Sequence, residues 1–150
     1  MRKINLKLLV LPVFFLALNS GAVESVEDKK EIKGHEGAVT NASVYFVEPK
    51  DGAVVKSKFK VKFGVKGMRV KPAGEIEMGT GHHHLIINST PIGKDQVIPA
   101  DEKHIHYGNG QTEAKLDLKP GEYTLTLQFA DGKHMAYGPM MTSSIKITVK

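Results

Sequence analysis

The sequence predicts an all-β fold, an immunoglobulin-like antiparallel β-sandwich. Three observations lead there. Short runs rich in Val, Ile, Leu, Phe and Tyr are separated by Gly-, Pro-, Asn- and Asp-containing turns. No stretch repeats its apolar residues at the helical period. A tyrosine, Tyr123, follows a Pro-Gly turn at the head of an alternating strand, where its hydroxyl can bond back to the preceding loop as at the tyrosine corner of such sandwiches.

Met1 to Ala22 has the pattern of a secretory signal peptide and is set aside from the fold. Arg2, Lys3 and Lys7 precede the apolar run LLVLPVFFLAL, and Ser20 and Ala22 stand at the −3 and −1 positions of a cleavage after Ala22. The run is short for a bilayer and Pro12 interrupts it, so no stable membrane span is expected after cleavage. The expected location is periplasmic or secreted. Residues 23–41 read as a flexible charged leader that contains His35, a solvated linker histidine. The sandwich domain is expected over residues 42–150.

ASVYFVEP is a strand ended by Pro49, and EPKDGAVV a turn leading into a short strand. KFKVKFGVKG places Phe59, Val61, Phe63 and Val65 on one face and lysines on the other, a half-buried strand with a solvated outer side. MRVKPAGEIEMGTG reads as a connection, HHHLIIN as a strand, STPIGKDQVIPADEK as a loop and HIHYG as a short strand. The turn GNGQ, the strand EAKLDL, the turn KPGE and the strand YTLTLQF follow. ADGKHMAYGPMM is a long loop, and SSIKITV closes the domain.

Composition narrows the function. There are no cysteines, so neither a disulfide nor a thiolate ligand or nucleophile exists. The formal charge of +5 counts Arg2, Lys3 and Lys7, so much of the basicity belongs to the export signal. Arg69 is the one arginine after that segment, and nucleic acid is not an expected partner. No phosphate-loop or serine-elbow pattern is present, and with no tryptophan a carbohydrate-stacking platform lacks support. The chain is not expected to be an enzyme.

Three of the seven histidines are consecutive, in GTGHHHLIIN. Alternate side chains of a strand face opposite ways. His83, Leu85 and Ile87 are assigned to the core, with His83 satisfied by backbone, while His82 and His84 project from the polar face. HIHYG repeats the arrangement with His104 and His106. Residues i and i+2 lie roughly 6.5–7 Å apart on a strand, a separation from which two imidazoles can meet one ion through bonds of about 2 Å. Neutral imidazole suits copper, zinc and nickel. The expected ligands are therefore His82, His84, His104 and His106. Gln111, Glu113 and His134 are additional ligands or outer support, and Glu75, Glu77, Asp101 and Glu102 are further carboxylates within reach in sequence. A softer set of His134, Met135, Met140 and Met141 would suit Cu(I), but methionine is also an adaptable core filler, and core packing is the expected role.

GHHHLIIN, followed by IPADEKHIHYGNGQTEAKLDLKPGEYTLTLQFADGKHMAYGP, resembles a family of exported bacterial domains of unknown function, number 4399. The resemblance runs from about Val44 to Val149. It implies an immunoglobulin-like sandwich and a common site near His82, His83, His84, His104, His106, Gly108, Gly110, Gln111, Thr112, Glu113 and His134, and it names no ligand. MAYGPMM departs from the more proline- and valine-rich segment expected after His134.

Two functions follow as expectations. The first is an exported histidine-rich carrier or buffer of a transition metal, copper ahead of zinc. The second is a cell-envelope binding module whose partner is an envelope protein or small ligand and whose histidines order loops.

Overall fold

The computed structural model describes residues 41–150. The expected signal peptide, nearly all of the leader and His35 lie outside the described residues.

Among the described residues nine strands form two sheets: β1 (Ser43–Glu48), β2 (Ala53–Val55), β3 (Lys58–Lys66), β4 (Arg69–Val70), β5 (Thr80–Ile87), β6 (His104–His106), β7 (Glu113–Asp117), β8 (Gly121–Ala130) and β9 (Thr142–Val149). A 3-10 turn, Pro139–Met141, precedes β9. One sheet has the order β1-β3-β7, and the other β2-β9-β8-β5-β4 with β6 also paired to β5. This is an all-β, immunoglobulin-like sandwich. It is antiparallel except for two short pairs, β2 with β9 and β4 with β5. β4 lies in a segment expected to be a plain connection. Its strand character comes from the partner, because Arg69 and Lys71 donate their N–H groups to the carbonyls of Gly79 and Gly81.

The two sheets meet over a core that matches the alternation of the sequence. From the smaller sheet come Val44, Phe46, Val61, Phe63 and Leu116, and from the larger Leu85, Leu125, Leu127, Phe129, Ile145, Ile147 and Val149. Complete burial of Leu85, Leu125 and Leu127 is worth about 1.5–3 kcal/mol each. The lysine face of β3 is outward and charge-paired: Lys58 with Asp117 at 3.6 Å, Lys60 with Glu113 at 3.2 Å and Lys62 with Glu48 at 2.6 Å. Tyr123 Oη donates to the Lys119 carbonyl at 3.0 Å, which makes the expected corner.

The outer face of the larger sheet differs from the expectation of a solvated polar face. His82 and His84 are 0 % and 1 % exposed. The long connections between β5 and β6 and after β8 fold over this face as a roof. Gln128, opposite His84 in the register, anchors the first of them, accepting from Ile92 N at 3.0 Å and donating to Ile92 O at 2.7 Å. Ala136 N donates to Gln96 O, and Ile98 N to His134 O, so the two connections are also stitched to each other. Ile98, Ala130 and Ala136, with Ile92 against them, form a small second core under the roof.

Candidate metal centre

β5 and β6 are antiparallel, with His84 opposite His106, Leu85 opposite Ile105 and Ile86 opposite His104. Their histidines therefore share one face, and His82 extends the row along β5. The fourth histidine arrives from the loop after β8. Asp131 folds that loop back: its Oδ1 accepts from Lys133 N at 2.8 Å and Met135 N at 3.0 Å, and its carbonyl from His134 N at 3.0 Å. In this turn His134 adopts φ 67° and its ring reaches the row on β5.

His82, His84, His106 and His134 each offer a ring nitrogen, and the four nitrogens lie within 4.8 Å of one another. His82 Nε2 is 3.0 Å from His84 Nε2 and 3.1 Å from His134 Nδ1. The ring of His106 stands 4.9 Å from that of His82, 5.0 Å from His84 and 4.6 Å from His134, centre to centre. Four nitrogens at about 2.05 Å from one ion are ~3.3 Å apart in a tetrahedron, or ~2.9 Å between neighbours in a square. The two short contacts fall between these values, and the histidine cluster could hold a metal ion once its wider separations, up to 4.8 Å, close around it.

Electrostatics favour neutral rings. Burial, then charge on His106 and His134, pushes the His82 pKa down to about 4, while Asp131 opposes the shift. Burial pushes His84 down to about 2, assisted by charge on His82, His106, His134 and His104. His106 is also lowered, by burial first and then by His134. Near pH 7 these imidazoles keep their lone pairs for a ligand. Asp131 is 1 % exposed, the one buried carboxylate among the described residues, and its charge favours a cation beside His82.

The other expected site residues lie elsewhere. His104 shares the face but stands outside the convergent four; its Nδ1 contacts Asp101 Oδ1 at 2.8 Å. Glu113 pairs with Lys60 on the smaller sheet, and Gln111 Oε1 accepts from Asn109 N at 2.9 Å. Glu77 pairs with Arg69 and Lys71. Met141 enters the main core while Met140 is 75 % exposed. His83 is in the core, as expected of its face, but both ring nitrogens lack the expected hydrogen-bond partner. Its ring lies instead 4.7 Å from Phe63 and 4.9 Å from Phe129.

Sequence reasoning ranked His134 below the strand histidines and missed Asp131 altogether. The signal was present in ADGKH, where an Asp-Gly turn sets the histidine back over the sheet that the chain has just left. Gly108 is a second positioning residue. A Cβ there would lie 2.1 Å from His106 Cε1 and 2.3 Å from its Nε2. Gly108 is outside the left-handed region, so an alanine would meet the ring without backbone strain. Gly108→Ala is expected to turn His106 out of the cluster and weaken metal binding roughly 10–100-fold, the range for lost outer support, with little change in metal-free melting. Competition against a chromophoric chelator measures this, and unchanged affinity would refute the positioning role.

Residues 61–150 match the family model described as Domain of unknown function (DUF4399). The chain belongs to this family. No curated protein matches. Among solved structures, the endo-beta-1,4-mannanase from Thermotoga petrophila aligns at 20 % identity and a TM-score of 0.42, over 73 % of this chain and 20 % of that one. The alignment thus spans about a fifth of the mannanase chain, and the likeness is too distant to bear on function.

Proposed function

We propose that this member of the DUF4399 family is an exported transition-metal-binding protein, a carrier or buffer for Cu(II) ahead of Zn(II). The observation that carries this reading is the convergence of four imidazole nitrogens within 4.8 Å, in a setting that keeps at least His82 and His84 neutral. An all-imidazole donor set favours copper, zinc or nickel over magnesium or calcium, and Cu(II) binds most tightly in the divalent series. Four protein ligands around one ion make a closed site, whereas catalytic zinc sites keep a position open; binding is therefore preferred to catalysis. His82 and His84 are buried while His106 is exposed and His134 partly so, which gives the ion a solvent-side route for uptake and hand-over. Export is supported by the N-terminal basic and apolar segment.

The test is thermal unfolding of protein carrying no histidine tag, with Cu(II), Zn(II), Ni(II) or Mg(II) added singly. The first three are expected to raise Tm, by the equivalent of about 2.7 kcal/mol at a hundredfold excess over Kd, and a chelator to reverse the rise. Mg(II) is expected to do nothing. Failure of all three transition metals to shift Tm would remove the reading and leave the envelope-binding module in its place.

A further inference from the structure

Three ring nitrogens on the face of the cluster are buried without a hydrogen-bond partner among the described residues, Nδ1 of His82, Nδ1 of His84 and Nε2 of His104, and the last two belong to diagonal neighbours. Their chemistry is complementary. His84 turns Nε2 toward His82 at 3.0 Å. If Nε2 is the ligand atom, the neutral ring carries its proton on Nδ1 and needs an acceptor there. His104 has the opposite requirement. Its Nδ1 lies 2.8 Å from Asp101 Oδ1, which directs a ring proton to Nδ1, and in the neutral tautomer the lone pair is then on Nε2. His104 as a whole is 8 % exposed.

Asp101 is well placed to fix that tautomer. The same Oδ1 accepts from the backbone N–H of Lys103 at 2.8 Å and of His104 at 3.0 Å. In the β5–β6 register His84 faces His106, and His104 faces Ile86. His84 and His104 are therefore diagonal neighbours on one face, a spacing of about 7–8 Å at Cα that aromatic side chains bridge. Neither nitrogen has a partner among the described residues, so a ring rotation has to close the remaining gap.

We propose that His104, oriented by Asp101, becomes the acceptor for His84 Nδ1–H once the two rings turn toward each other, and so holds His84 with Nε2 toward the metal. The inference rests on the metal-binding reading for its purpose, though the hydrogen bond itself does not require metal. His104 is then a positioning residue acting through His84. The chain from carboxylate to histidine to histidine to metal lengthens by one imidazole the support that ligating histidines ordinarily receive from a carboxylate.

Nitrogen-15 NMR of the imidazoles in metal-free protein tests the bond independently of any metal. His84 is expected as the Nδ1–H tautomer with a downfield, slowly exchanging proton. His104→Phe should remove that protection. With Cu(II) or Zn(II) it should weaken affinity roughly 10–100-fold while the number of coordinated nitrogens stays the same. His104→Gln, which retains an acceptor, should restore part of the affinity. Asp101→Asn, at a side chain 51 % exposed, should weaken the protection without disturbing the fold. An Nε2–H tautomer for His84, or a His104→Phe protein with unchanged tautomer and affinity, would overturn the proposal. Loss of a coordinated nitrogen in His104→Phe would overturn it too, by making His104 a ligand. A protein that binds no metal yet shows the His84 proton and its dependence on His104 would sink the metal reading and leave the hydrogen bond standing.

Discussion

Replacing His82 and His84 together by leucine is expected to abolish stoichiometric metal binding while leaving the metal-free protein as stable as before, or more so. Both side chains are essentially inaccessible, and the Nδ1 of each is buried without a partner. Leucine removes two of the four convergent donors together with those unsatisfied polar atoms, and an apolar replacement of similar bulk costs little at such a place. The loss of affinity should exceed the roughly hundredfold reached by changes in outer support. Denaturant unfolding with and without Cu(II) separates the two effects. Stabilisation by metal that survives the double substitution would place the ion elsewhere.

The second large effect is acid sensitivity. Burial is the leading cause that lowers His82 and His83 to about 4 and His84 to about 2, whereas an unfolded histidine titrates near ~6.5. The unfolded chain therefore binds more protons than the folded one once the pH falls below about 6.5, and stability must drop with it. It is fully present above the unfolded pKa. It declines toward about pH 4 for His82 and His83, and His84 continues the decline below that. Each such histidine contributes a slope of roughly 1 kcal/mol per pH unit inside its window. Metal-free protein is thus expected to lose stability steeply between about pH 6.5 and pH 4, and His83→Leu to flatten the profile without touching the metal ligands. Denaturation midpoints across that range measure the slope; a flat profile would mean that these rings accept protons in the folded state.

The strands were legible because their alternation is dense. Phe59, Val61, Phe63 and Val65 against lysines admit one face assignment, and Tyr123 after its Pro-Gly turn marks the corner. The pairing of His84 with His106 was legible only as a shared polarity, because register between strands separated by a long loop is set by tertiary packing. Burial of that face was not legible: an alternating strand with histidines outward looks solvated until the Ile92 and Ala136 segments close over it. His134 sits on a loop with no period to place it, so its position depends on the Asp131 turn. His104 shows the limit of face arguments, since Asp101, three residues before it, holds one of its nitrogens.

X-ray absorption of tag-free protein loaded with one equivalent of Cu(II) or Zn(II) tests the central claim most directly. A first shell of four nitrogen scatterers at about 2.0 Å, with the outer-shell pattern of imidazole, is the predicted result; the His82/His84 double leucine variant should not reproduce it. An oxygen-dominated shell, or the same spectrum from that variant, would contradict the assignment of the metal to His82, His84, His106 and His134.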